Sequence, residues 1–241
     1  MAKVAIGLAV VISLGGAAMT VALAHTETRP PLHLMPTLTA STLAWGAGML
    51  LAFASAAHAL RKDRDDGVRA LLAARGAALH RYVWARVAGL ATLLAAVVGG
   101  GTLLAGGVAI LSAHGGKLAL ASAQATIASL VYSIAFAATM APVALAALGA
   151  RSRAGGYVWL SALLFVPEIF SGWIAELLPE TWGDLVSVPG ALASLRGALM
   201  PHEVDVAQFA RAFLVLAIVT VLAILCVWKQ LSRVDTERAT R

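Results

Sequence analysis

Between Arg61 and Arg86 the chain reads RKDRDDGVRALLAARGAALHRYVWAR. Seven of the eighteen Lys and Arg residues lie here, and three acids crowd the positions from Asp63 to Asp66. Groups of that density have no place in hydrocarbon, where no water is available to solvate them. The sequence on either side is apolar, from Thr37 to Leu60 before the stretch and from Val87 to Leu111 after it. The stretch must therefore stand in water between two membrane-spanning helices, and the rest of the chain is read outward from it.

The composition agrees. Of 241 residues, 60% are hydrophobic and 12% are charged, with mean hydropathy +0.86. An ordinary soluble domain carries ~25% charged residues, so the composition excludes a soluble enzyme or a disordered chain. Apolar runs over about 4–24, 37–60, 85–111, 118–149, 157–173 and 207–228 predict six spans in a single transmembrane domain, 1–241. Each meets the ~20 residues that cross a bilayer, or nearly so in the fifth run. The first run ends in Ala22-Leu23-Ala24, which imitates a signal-peptidase site. It exceeds the ~7–15 residues of a signal peptide's apolar core and is read as a retained span.

Orientation follows from the basic residues. Lys3, the seven in 61–86, Arg151, Arg153, Lys229, Arg233, Arg238 and Arg241 fall on one side, fourteen in all. Only Arg29, Lys117, Arg196 and Arg211 fall on the other. The expectation is an all-α polytopic membrane protein with both termini cytoplasmic, lodged in a bacterial inner membrane. The same asymmetry explains the pI of about 10.1 without nucleic acid. Cys226, the single cysteine, lies in an apolar run, which leaves no disulfide framework or thiolate metal site. Gly46, Gly48, Gly99–Gly101 and Gly106–Gly107 are of the kind that lets helices approach closely in lipid.

Within the opening stretch, Asp65-Asp66-Gly67 reads as a helix start, since acids cap free amides and complement the dipole. Val68, Leu71 and Leu72 follow at helical spacing, and Arg75-Gly76 supplies a cationic last turn and a terminal glycine. A short helix from about Gly67 to Arg75 is predicted, then a second segment, Leu79 to Arg86, leading into the third span. Two roles are open to the short helix: rest on anionic headgroups, or docking to a soluble partner, which the acids at its start favour.

An acidic turn, a glycine, a short helix with paired leucines, a second glycine and a basic aromatic entry to the next span resemble the cytoplasmic loop of type-2 ABC exporter permeases. The matching positions are Asp65, Asp66, Gly67, Leu71, Leu72, Gly76, Tyr82 and Arg86. In that family the loop lies between spans two and three and forms the coupling helix that docks on an ATPase. The stretch SGWIAELLPETWGDLVSVPGALASLRGALMP, Ser171 to Pro201, is similar to the family's pair of short outer-leaflet helices between spans five and six. Ser171-Gly172, Leu178-Pro179, Trp182 and Pro189 carry that likeness. Family members often have Glu before the first glycine and Pro near the second, where this chain has Asp66 and Arg75-Gly76. They usually begin with an amphipathic elbow helix, whereas the first apolar run here starts at Val4.

The resemblance implies a permease subunit with ATPase-docking residues Asp65, Asp66, Gly67, Val68, Leu71, Leu72, Arg75 and Gly76. Its implied partners are a cytoplasmic ABC ATPase, a second copy of itself or a related permease, membrane lipid, and a periplasmic protein if the work is mechanical. ATP and Mg would sit on the ATPase. This chain has no Gly-rich Lys-Ser/Thr phosphate loop, so it is not an ATPase by itself. An alternative is a non-transporting scaffold of an envelope complex. A secondary transporter fits less well, for want of intramembrane charge or an inverted repeat.

Glu168 is the one acid expected within a span. It is a candidate substrate contact or proton relay on the translocation path, or else a hydrogen-bonded carboxyl at the end of a shorter fifth span. The six histidines are scattered with no metal-ligand spacing. Ser171 and His58 fall on opposite sides, which speaks against an intramembrane serine protease. No catalytic residue and no metal ligand is assigned.

Overall fold

A computed structural model describes residues 2–25, 32–68, 71, 74–76, 78–148, 153–171, 173, 176, 180–200 and 204–239. The described residues form helices and turns, with no strand among them. Helix α1 is Ala2–Ala24. Helix α2 (Leu34–Thr42), a π-helical turn (Leu43–Gly48) and α3 (Met49–Asp65) make one continuous rod. Helices α4 (Leu79–Leu111) and α5 (Gly116–Leu148) form a hairpin. Then come α6 (Arg153–Ile169), a 3₁₀ turn (Glu180–Leu185), α7 (Val188–Gly197) and α8 (Val206–Ala239).

Among the described residues, five helices are long and apolar enough to cross a membrane: Ala2–Ala24, Leu34–Ala57, Leu79–Leu111, Gly116–Leu148 and Val206–Ser232. The chain is a polytopic helical membrane protein. The apolar run expected as a span over 157–173 is the shorter helix α6, whose apolar part is Gly156–Ile169. Pro167 stands in its last turn, and the regular helix stops at Ile169.

The helix runs on past the expected span limit at Leu60. Helix α3 continues to Asp65, so Asp65 ends the long rod and does not start the short helix. The reason is local. Arg61, Lys62 and Arg64 are good helix formers that carry the helix past its apolar stretch. The rod stops only where Gly67 takes a φ of 64°, the left-handed conformation that closes helices. The glycine expected to close the short helix, Gly76, is likewise left-handed with φ 72°.

Helix α5 is the axis of the bundle, packing on α2, α3, α4, α6, α7 and α8. Tyr132, Phe136, Met140 and Leu145 along it are fully buried. Helices α4 and α5 are 33 residues each, about 50 Å at 1.5 Å per residue, so they overreach the ~30 Å hydrocarbon core. Helix α1 packs on α4 and the rod and exposes Val4, Val11 and Leu14, as suits a peripheral span in lipid.

The glycine run of α4 divides by face. At Gly106 a Cβ would overlap Thr126 of α5, and at Gly101 it would overlap Leu43 of the π turn and Ser13 of α1. At Gly100 and Gly107 it would meet open space. Close approach in lipid thus rests on two of these glycines, with packing and not hydrophobicity as the driving force. Helix directions alternate, so α1's start, the 66–78 connection, α6's start and α8's end share one end of the bundle, here the charged end.

Candidate functional site

At the charged end, Asp63 is buried in α3's last turn. Its Oδ2 accepts a hydrogen bond from Tyr82 Oη at 2.6 Å and from the Arg86 guanidinium, with which it forms an ion pair. Tyr82 and Arg86 are four residues apart on α4 and so share a face. The guanidinium also lies 5.7 Å from the Tyr82 ring centroid, a cation–π distance. Helix α3 is thereby bolted to α4 at the base of the connection. Both donors converge on one ionised acceptor, which makes these stronger bonds than neutral ones.

What the bolt carries is a short helical turn. Leu71 N donates to Gly67 O at 3.1 Å and Arg75 N to Leu71 O at 3.2 Å, between the two left-handed glycines. Leu71 is 63% exposed, an apolar side chain at the apex of a polar loop. Asp66 and Arg75 are also exposed and Val68 is half-buried. Leu72 lies outside the described residues, as do Gly172 and Leu178-Pro179 of the outer segment.

The opposite end holds a second polar cluster. The 3₁₀ turn and α7 are short helices that precede α8. From α7, Arg196 reaches into the bundle, where Nη1 donates to Thr37 O at 3.2 Å and Ser41 Oγ at 2.6 Å. Its guanidinium carbon is 4.8 Å from the Tyr132 ring centroid. Burial pushes the guanidinium below its ordinary pKa, and Tyr132 opposes that shift. One arginine thus pins α7 to α2 and α5. A turn away, Trp45 of the π turn meets Phe136 edge-on, with centroids 5.5 Å apart. In the π turn, Met49 N donates to Ala44 O, five residues back, a geometry that accumulates at functional sites. The turn is packed tightly, since a Cβ on Gly48 would lie 3.0 Å from Phe136.

Glu168 stands at the end of α6 and is exposed. Its carboxylate accepts from Ser187 Oγ, which in turn accepts from Gly190 N at 2.9 Å as the N-cap of α7. Ser171 Oγ donates to the Glu168 backbone carbonyl at 2.7 Å. The carboxylate thus ties the short helix α6 to α7.

Tyr82, Arg86, Leu71 and both glycines fall at the connection by sequence alone, whereas Asp63 is there one acid among three. Arg196 was only a count in the charge balance. Its signal was its setting: a lone cation in ALASLRGALM, with no acid nearby to pair it. Among the described residues no three of His, Cys, Asp and Glu gather as a metal site. Comparison of the chain with protein-family models, curated proteins and solved structures finds no match.

Proposed function

We propose that this chain is the membrane-spanning permease subunit of an ATP-driven transporter of the type-2 ABC exporter kind. In this reading α6 is a sixth crossing, both termini are cytoplasmic, and the charged end faces the cytoplasm of a bacterial inner membrane. The 3₁₀ turn and α7 are then the outer-leaflet pair. The observation that carries the reading is the bolted connection: a short helical turn between two left-handed glycines, with Leu71 exposed at its apex. The Asp63–Tyr82–Arg86 cluster beneath it joins spans two and three.

A docking element must transmit force, and a loop hung on two flexible ends would absorb it. Here movement of the apex is handed to α3 and α4 together, and through α4 to the central helix α5. A separate ATPase closing on nucleotide would supply the stroke, and the bundle would switch access. Arg196 supports the outer half of the same reading, since it couples α7 to α2 and so gives the outer segment a rigid connection to the rod.

The test is affinity purification of the tagged chain from membranes of its native host, with mass spectrometry of what accompanies it. A Walker-type ATPase is expected with the wild type and lost with Leu71→Asp. It should be retained with Leu111→Asp, an equally drastic change at the 88%-exposed tip of the far hairpin. Recovery of the ATPase undiminished by Leu71→Asp would overturn the docking assignment. Recovery of envelope proteins with no ATPase would favour the scaffold.

A further inference from the structure

At the charged end, a crevice of about 330 Å³ opens between α5, α6 and α8. It exists because α6 and α8 both pack on α5 while barely meeting each other among the described residues. Ala147 forms part of its floor, Trp159 and Leu163 line one wall, and α8 lines the other from Val219 to Gln230. That length of α8 is ~16 Å at 1.5 Å per residue, about half of the ~30 Å hydrocarbon core, or one leaflet.

The polarity is graded along it. From Val219 to Ala223 the α8 wall is apolar. Cys226 follows, and the crevice ends at Gln230, whose Nε2 donates to Ala146 O at 3.2 Å. Beside Gln230 stand exposed Lys229 and half-exposed Trp228, the residue types that mark a membrane–water boundary. The first residue of α6, Arg153, lies at the same end.

We propose that this crevice binds one acyl chain of an anionic phospholipid from the leaflet at the charged end, its phosphate beside Lys229. The slot has the length of one leaflet, is apolar where the chain would lie, and turns polar and basic where the headgroup would sit. A basic residue near the membrane surface attracts anionic headgroups more than zwitterionic ones. The inference rests on the membrane placement of the bundle alone and is independent of the transport reading.

Cys226 is the chain's single cysteine and lines the crevice, so its alkylation reports occupancy without mutation. Full-length protein in detergent is stripped of lipid, titrated with phosphatidylglycerol or phosphatidylcholine, and labelled with a maleimide followed by intact mass. Phosphatidylglycerol is expected to slow labelling several-fold and phosphatidylcholine much less, and Lys229→Gln should level the two. In native mass spectra, Ala223→Trp should lose the bound phosphatidylglycerol that the wild type retains. Should that variant fail to fold, the wild-type labelling arms decide. Labelling indifferent to both lipids overturns the proposal. So does protection that grows with protein concentration in the absence of lipid, which would assign the surface to a second copy.

Discussion

Asp63→Asn should loosen the charged connection and little else. Asp63 receives two hydrogen bonds, one from Tyr82 and one from Arg86. A hydrogen bond to an ionised group contributes about 1.5–3 kcal/mol when buried. The Arg86 side chain is 39% exposed, so its part is discounted toward the ~0–1 kcal/mol of a surface pair. Asparagine keeps an acceptor but loses the charge, which leaves an expected loss of about 2 kcal/mol, mostly from the Tyr82 bond. At 1.4 kcal/mol per factor of ten, local opening of the connection should become roughly 30-fold more frequent.

The assay is hydrogen exchange by mass spectrometry in nanodiscs. It compares peptides spanning 64–82 with those covering the far turn at 110–118, which should not change. Tyr82→Phe on the wild-type background should give a similar acceleration, and on the Asp63→Asn background a much smaller one. Residues in one network typically couple by ~0.5–3 kcal/mol. Unchanged exchange in 64–82, equal acceleration at both ends, or strict additivity of the two substitutions would each refute the bolted connection.

Gly106→Ala should lower thermal stability by about 1–3 kcal/mol, the usual cost of overpacking, because Thr126 is held by its own bond to Ser122 O at 2.7 Å and cannot step aside. Gly107→Ala, facing open space, should be neutral or stabilising by up to ~1 kcal/mol through helix propensity, and paired melting curves in one detergent decide both. Arg196→Lys should melt below the wild type but above Arg196→Ala, since an ammonium can donate to Thr37 and Ser41 as the single Nη1 does but has no planar face to stack on Tyr132; full rescue by lysine would refute the stacking contribution. Glu168→Gln should move the melting point little, because Glu168 is exposed, unlike the buried Asp63, and glutamine still accepts from Ser187, whereas Ser187→Ala should cost ~1 kcal/mol as a lost N-cap. Transport lost in Glu168→Gln at wild-type stability would place that carboxylate on the translocation path, and unchanged transport would remove it.

The helical membrane class, most of the helix limits and the polar connection were legible from hydropathy and charge alone, because lipid forbids polar backbone and side chains over a span's length. Both glycines of the connection were legible too, since a left-handed turn has few alternatives to glycine. The partners of Asp63 and Arg196 were not. Asp63 lies 19 residues from Tyr82, and Arg196 lies 155 from Ser41. No periodicity links positions so far apart, and three neighbouring acids offer equal claims to Arg86 until helix rotation turns one of them inward. Nor could the sequence tell Gly101 and Gly106 from Gly100 and Gly107, since which face of α4 meets a neighbour depends on how α4 is set against α5.

Transfer free energy acts residue by residue and can be read in order along a chain, so the amino-acid order sufficed for the helical membrane class, the charge asymmetry and the polar connection. Pairing, close approach and the leaflet-length crevice arise from the rotation and splay of whole helices. Those are decided by packing summed over many contacts, and only the folded bundle settles them.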